Sequence, residues 1–353
     1  MKKLICFIVI PLLLTAACEK YSAPDPGDPD PSTVTLPFEN DVLKISLVTD
    51  KGPVNTRNIV FLNALNGFAV TYYGEIHKTL DGGVNWTQQY KNPVSNQSFY
   101  KVFFTDENTG YVVGGSTSCG GTGCIPPGGV ILKSVDGGTT WSRIFELPGR
   151  EITSITTNST GELFVTARGT NSEILWSNDE GTTWTAIGSA AFQLSGIIFN
   201  ANFGFCSGVY GNILRTNNDG ATWELISTPD ALYVSDVKFS DNSVLCVMSN
   251  MRVYRADEEG KNWLKVFDSD RSFYGLDVPS NDTWIMHGNG GYTGGCWGYW
   301  YAGIGYTTNS GADWSVVTVR AVPALHSSSF YSDKEGFMMG GPSGGFLLKV
   351  TLK

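Results

Sequence analysis

Short apolar runs broken by turn residues cover the chain from about residue 40 to its end. Seven of these runs are of one kind, and several open with Gly and an aromatic. They are Gly67-Phe68-Ala69-Val70, Gly110-Tyr111-Val112-Val113, Leu163-Phe164-Val165, Gly204-Phe205-Cys206, Val244-Leu245-Cys246-Val247, Trp284-Ile285-Met286 and Gly336-Phe337-Met338-Met339. Bounded by Gly, Asn and Asp, they read as strands. No segment keeps the 3.6-residue apolar spacing of an amphipathic helix over several turns, so almost no helix is expected.

A second pattern follows the apolar runs. Thr79-Leu80-Asp81-Gly82-Gly83-Val84-Asn85-Trp86 recurs as Ser134 to Trp141 around Asp136 and as Ser177 to Trp184 around Asp179. Three weaker copies end at Trp223, Trp263 and Trp314, with Asn218, Glu258 and Asn309 in the Asp slot. Each copy sits between β-rich runs, as a hairpin turn does. A short acidic side chain there accepts backbone N–H groups just ahead of it. The Gly reaches a conformation strained for other residues. The Trp buries a large apolar surface. Asn can replace Asp in this role, whereas the longer Glu258 fits the turn less well. Asp81, Asp136 and Asp179 are therefore expected to be structural rather than catalytic. The pattern Ser/Thr-x-Asp-x-Gly-x-x-Trp resembles the Asp-box, or BNR repeat, of β-propellers.

The Trp residues recur about every forty residues, with two longer intervals, and forty is the length of a four-stranded propeller blade. The seventh apolar run continues into Gly345-Phe346-Leu347-Leu348-Lys349-Val350 and has no repeat turn after it. Val42-Leu43-Lys44-Ile45-Ser46-Leu47-Val48 is a strand with no repeat of its own. The fold expected is all-β: one seven-bladed propeller whose last blade takes this N-terminal strand as its outer strand. Closing the ring removes exposed sheet edges.

Ahead of the domain, Met1-Lys2-Lys3 and an apolar run to Ala17 precede Cys18. Thr15-Ala16-Ala17-Cys18 looks like a bacterial lipoprotein signal, with residues 1–17 removed and Cys18 lipidated. An ordinary signal peptide is the plainer reading. Residues 18–37, centred on Pro24-Asp25-Pro26-Gly27-Asp28-Pro29-Asp30-Pro31, lack core-forming residues and read as a disordered tether. Residues 38–353 form the propeller. The expected location is the bacterial cell envelope, with the outer membrane favoured, and the only membrane contact is the lipid.

Gly 42 and few charges suit a turn-rich β fold, and a net charge of −9 argues against nucleic acid. Cys119 and Cys124 flank a Gly-rich loop and are disulfide candidates in an exported protein; a metal pair is the rival, without spacing or a nearby His to support it. Cys206 and Cys246 lie in apolar strands and read as buried. No metal or cofactor is expected, although a loop Ca²⁺ site has no signature here. A monomer is expected.

If strands A to D run outward from the channel, the repeat turn joins C to D, and the B–C and D–A loops share the opposite face. Both long insertions are then B–C loops: residues 114–129 and about 287–301. Insertions on one face of a repeat array often build its binding surface. The second insertion carries Tyr292, Trp297, Tyr299, Trp300 and Tyr301 among glycines. These rings either stack on a sugar or anchor a protein, or fold back over the channel mouth. Arg57, Tyr72, Tyr73, Glu75, Tyr100, Arg150, Arg168, Tyr210, Tyr233, Tyr274, His287 and His326 are further ligand-binding candidates on this face.

Sialidases share this repeat, but their Arg-Ile-Pro motif is missing, and no Tyr–Glu nucleophile pair can be assigned. Xyloglucan-cleaving relatives use two propellers and a carboxylate pair, and this chain has room for one propeller. Tyr73 to Gly83, within the form Gly-Phe-x-Val … Gly-x-Ile-x-Lys-Thr-x-Asp-Gly-Gly-x-x-Trp, resembles the Ycf48-like photosystem II assembly factor group of the wider BNR/sortilin-like propellers. That resemblance covers residues 40–353 and implies partner-protein binding. The arginine patch it also implies is at odds with this acidic, arginine-poor domain. A non-enzymatic, lipid-anchored scaffold for a protein or glycan is the function expected, with a glycoside hydrolase as the alternative.

Overall fold

The computed structural model describes residues 33–94, 97–116, 128–169, 171–249, 251–292, 300–341 and 345–353. Cys18, Cys119, Cys124, Trp297 and Tyr299 lie outside them. Seven sheets, each built on four antiparallel strands, follow one another around the ring, and no helix occurs among the described residues. Blade 1 shows the plan, with strands A to D at Thr56–Phe61, Gly67–Thr71, Glu75–Thr79 and Thr87–Lys91. Strand A begins at Ser98, Glu151, Leu194, Val234, Phe273 and Leu325 in blades 2 to 7.

Three strands precede blade 1. β1 (Thr33–Val34) runs parallel to the outer strand of blade 6, Ser315–Pro323. β2 (Phe38–Glu39) and β3 (Leu43–Gly52) extend blade 7, where β3 pairs antiparallel with the C-terminal strand Gly345–Leu352. The ring is thus closed by an N-terminal strand. The tether expected over 18–37 is paired into the domain from Thr33 onward, and two blades gain a fifth, two-residue strand.

Burial explains why the second strand of each blade reads as a continuous apolar run. Side chains alternate faces along a strand, and each blade is covered on both sides. Phe164 therefore enters the core shared with blade 4, while Leu163 and Val165 enter the core shared with blade 2. Seven apolar clusters result, one at every blade–blade junction. The buried thiols Cys206 and Cys246 occupy two of them.

The repeat turns all join strands C and D. Asp81, Asp136 and Asp179 accept the backbone N–H four residues ahead at 2.9, 2.9 and 2.8 Å. Asn218 and Asn309 do the same at 3.0 and 2.9 Å. Glu258 does not. Its neighbour Asp257 accepts from the Lys261 N–H at 2.8 Å and from Asn262 at 2.9 Å, and Glu258 points to solvent. The cause lies at the head of the turn, where Ser or Thr elsewhere accepts the N–H of the turn Gly, as Ser134 does from Gly138 at 2.9 Å. The fifth copy has Ala256 there, and the acceptor moves one residue earlier. Indole N–H groups of Trp86, Trp141 and Trp184 donate to the turn Gly carbonyl at 2.9–3.1 Å. Those of Trp223, Trp263 and Trp314 are buried without a partner among the described residues, so these three serve by packing.

An acid-stability prediction follows from the turns. The Asp136 and Asp179 carboxyls are held down to about 2, first by the backbone N–H groups of Thr140 and Thr183. The unfolded chain binds these protons at about pH 3.9. Their contribution is therefore complete above that value and is lost as pH falls toward 2. Denaturant midpoints should hold steady at pH 4.5–6 and drop below pH 4, less steeply in an Asp136→Asn/Asp179→Asn double variant. An unchanged acid limb in that variant would refute the assignment.

Candidate functional site

Strand A of every blade lines the central channel, and in every blade it carries a β-bulge near its first residue. The residue left unpaired is Arg57, Tyr100 and Thr153 in blades 1 to 3, Ser195 and Ser235 in blades 4 and 5, and Tyr274 and His326 in blades 6 and 7. A bulge re-aims the side chain it frees. All seven line one cavity of about 250 Å³ at the channel mouth. The next residue in each blade forms a second tier in the same cavity: Asn58, Lys101, Ser154, Gly196, Asp236, Gly275 and Ser327.

The mouth opens on the face of the B–C and D–A loops, opposite the repeat turns. Among the described residues, all five strongly exposed tyrosines sit on this face: Tyr72, Tyr73, Tyr210, Tyr233 and Tyr274, at 39–70% exposure. Tyr100 donates to Glu151 Oε1 at 2.5 Å, and Arg168 binds Glu151 Oε2 through Nε at 2.8 Å and Nη2 at 2.5 Å. Burial, then this bond to Glu151, pushes the Tyr100 phenol up. The guanidinium carbons of Arg57 and Arg168 each lie 5.7 Å from the Tyr100 ring centre, and Arg57 also lies 5.0 Å from that of Tyr72. His326 stacks on Tyr274 at 5.5 Å, and burial, then Arg57, lowers its pKa. Arg168 is ion-paired; Arg57 has no carboxylate partner among the described residues.

Of the residues expected on this face, Arg57, Tyr72, Tyr100, Arg168 and Tyr233 meet around one rim depression, and His326 borders it beside Arg57. Tyr73 packs edge-on against Tyr72. Two others are engaged elsewhere. Glu75 holds Lys91 at 2.9 Å and His77 at 3.2 Å, and Arg150 pairs with Glu173 against Gly169. Arg150 therefore does not join Arg57 and Arg168 at the depression.

His287 and Trp300 were expected in a loop and instead belong to strands, Trp284–Tyr292 and Trp300–Thr307. His287 is buried, accepts or donates through Nδ1 to Ser328 Oγ at 2.7 Å, and reaches the channel wall across Gly275. A Cβ on Gly275 would lie 2.4 Å from its ring. Burial lowers the His287 pKa, which keeps the imidazole neutral. Below the mouth lie the charges that the sequence did not single out. Lys238 pairs with Asp236 at 3.2 Å, and Asp236 also accepts the Leu276 N–H at 3.0 Å. Lys101 and Asp277 complete the group. No set of three or more metal-ligating side chains converges among the described residues.

Comparison with known proteins places this geometry. A curated relative, the photosystem II assembly lipoprotein Ycf48 of Synechococcus sp. (strain CC9902), is 23% identical over 260 residues, spanning 70% of this chain and 73% of that protein. The solved structure described as YCF48 bound to D1 peptide superposes with a TM-score of 0.66 at 18% identity, covering 90% of this chain and 99% of that one. The GH74 enzyme of Niastella koreensis superposes with a TM-score of 0.63 at 14% identity, covering 85% of this chain but 53% of that one. These structural likenesses are of fold. The family model for the photosynthesis system II assembly factor YCF48 matches residues 44–351, nearly the whole propeller, and the chain belongs to that family.

Proposed function

We propose that this protein is a non-enzymatic, lipid-anchored binding or assembly factor of the cell envelope that captures a segment of a partner protein at the channel mouth. The observation that carries this reading is the ring of bulged residues, with unpaired Arg57 set among exposed tyrosines. Arg and Tyr are the residues most enriched at energetic centres of protein interfaces. The solved relative bound to a D1 peptide supports a peptide segment as the form of the ligand. The relative named a lipoprotein, together with Thr15-Ala16-Ala17-Cys18, supports the anchor. This function needs no cofactor and one copy of the chain.

Pull-downs from the parent cell envelope test it. The wild type and a turn-face control, Val135→Ala, should retain the same partner. Arg57→Ala/Tyr72→Ala should lower its recovery at least tenfold, since each interface hot spot is worth about 2 kcal/mol or more. Equal recovery by all three would remove the mouth from consideration. A glycan array serves as the rival assay. Turnover of a glycoside that disappears in Asp277→Asn would favour the hydrolase reading, for which Asp236 and Asp277 are the channel carboxylates.

A further inference from the structure

We propose that the channel below the mouth binds a small zwitterion of the amino-acid or dipeptide class. Four charges stand there within electrostatic reach of one another, and one ion pair joins two of them: Lys238 and Asp236 at 3.2 Å, with Asp277 also acting on Lys238 and Asp236 on Lys101. Lys101, from blade 2, bonds only Ser154 Oγ, at 3.2 Å, and has no carboxylate partner among the described residues. Asp277, from blade 6, makes no ion pair there, and its Oδ2 is buried with no hydrogen-bond donor. A cation and a carboxylate that make no ion pair among the described residues thus face one cavity from different blades. Leaving buried polar groups unsatisfied is costly.

An anion alone would satisfy Lys101 and leave Asp277 bare; a cation would do the reverse. A ligand carrying both charges satisfies both. The cavity that mouth and second tier share, about 250 Å³, is below the roughly 300–1,000 Å³ of pockets for drug-sized ligands. Gly196 adds no side chain to the second tier, the place of one at Gly275 is taken by the His287 ring, and the hydroxyls of Ser154, Ser195 and Ser207 supply partners for an amide.

Protonation gives the site a signature. Burial, then the facing Lys238, lowers the Lys101 ammonium to about 8, against the pull of Asp236. Across the channel stand Asp277 and the neutral His287, with Arg57 above. An anionic group beside Lys101 favours its protonated form, so binding takes up a proton and weakens as pH rises past about 8.

The test is a thermal-shift screen of the intact protein with the twenty common amino acids and glycylglycine, followed by calorimetry of the best ligand at pH 7 and 9. Blocking either the amino or the carboxylate end of that ligand should weaken it at least tenfold, as should Lys101→Met and Asp277→Asn, and affinity should be lower at pH 9. No binder at about 10 mM, or a singly blocked ligand binding as well as the free one, overturns the proposal. Because the blocked ligands are read on the wild type, a variant that misfolds does not decide the outcome. The mouth residues are untouched throughout, so this result and the partner pull-down stand or fall separately.

Discussion

Phe68→Ala should destabilise the protein by about 3–5 kcal/mol, the range for removing a buried aromatic ring. Phe68 lies in strand B of blade 1 and is fully buried. Its ring sits beneath the turn glycine of the next blade, so that a Cβ on Gly138 would lie 2.3 Å from it. It stacks on Phe104 at 4.6 Å and meets Trp141 edge-on at 6.4 Å. Lys78, from the same blade, donates to the Gly137 carbonyl at 2.7 Å. Neighbouring junctions repeat the device. Phe164 lies under Gly220 and Phe205 under Gly260, while Tyr111 donates to the Glu180 carbonyl at 3.2 Å. The ring cannot collapse into the space left by Phe68 without moving one blade against another, which favours the upper end of the range. Chemical unfolding of wild type, Phe68→Ala and Phe68→Leu measures it. A loss below about 1 kcal/mol for the alanine variant would mean that this contact does not hold the blades together.

The second large effect is expected from deleting residues 1–52. β3 pairs with the C-terminal strand from Leu43↔Leu352 to Gly52↔Gly345. Leu43 and Ile45 are fully buried between blades 6 and 7. Burying each such side chain is worth about 1.5–3 kcal/mol. Their removal would also bare the edge of the C-terminal strand, which then becomes a template for another chain. The truncated protein should elute as oligomers or aggregate, with its cooperative thermal transition lost. A monomer that melts like the wild type would show that the ring closes without its N-terminal strand.

The features legible in the sequence were those imposed locally. A turn acceptor, a glycine at positive φ and a tryptophan must stand at fixed spacing, so the repeats, the blade number and the sidedness of the loops could be read. A bulge breaks the two-residue period of a strand, and one occurs in every inner strand. The phase of the channel-facing side chains was therefore hidden, and Thr153, Ser195, Ser235, Lys101 and Asp236 gave no signal. His287 was misplaced because Gly288-Asn289-Gly290-Gly291 reads as loop. In the structure it is strand, and the glycines are there because the paired backbones approach closely: a Cβ on Gly303 would lie 2.7 Å from the Gly290 nitrogen. Glu258 was assigned by column, but the missing hydroxyl at Ala256 shifts the acceptor to Asp257.

The direction of β1 shows on which side the chain joins the propeller. The outer strand of blade 6 runs from the turn face to the loop face, and β1 lies parallel to it, so Thr33 is on the turn side of Val34. The chain thus enters the propeller from the side opposite the binding mouth. A lipid at Cys18, as proposed, would therefore join the domain on its turn face, opposite the mouth. A partner in the same membrane must then lift its segment over the thickness of a blade, roughly 20 Å for strands of six or seven residues. A partner from the surrounding compartment meets the mouth directly. On that proposal, reach as much as chemistry would select what this protein holds.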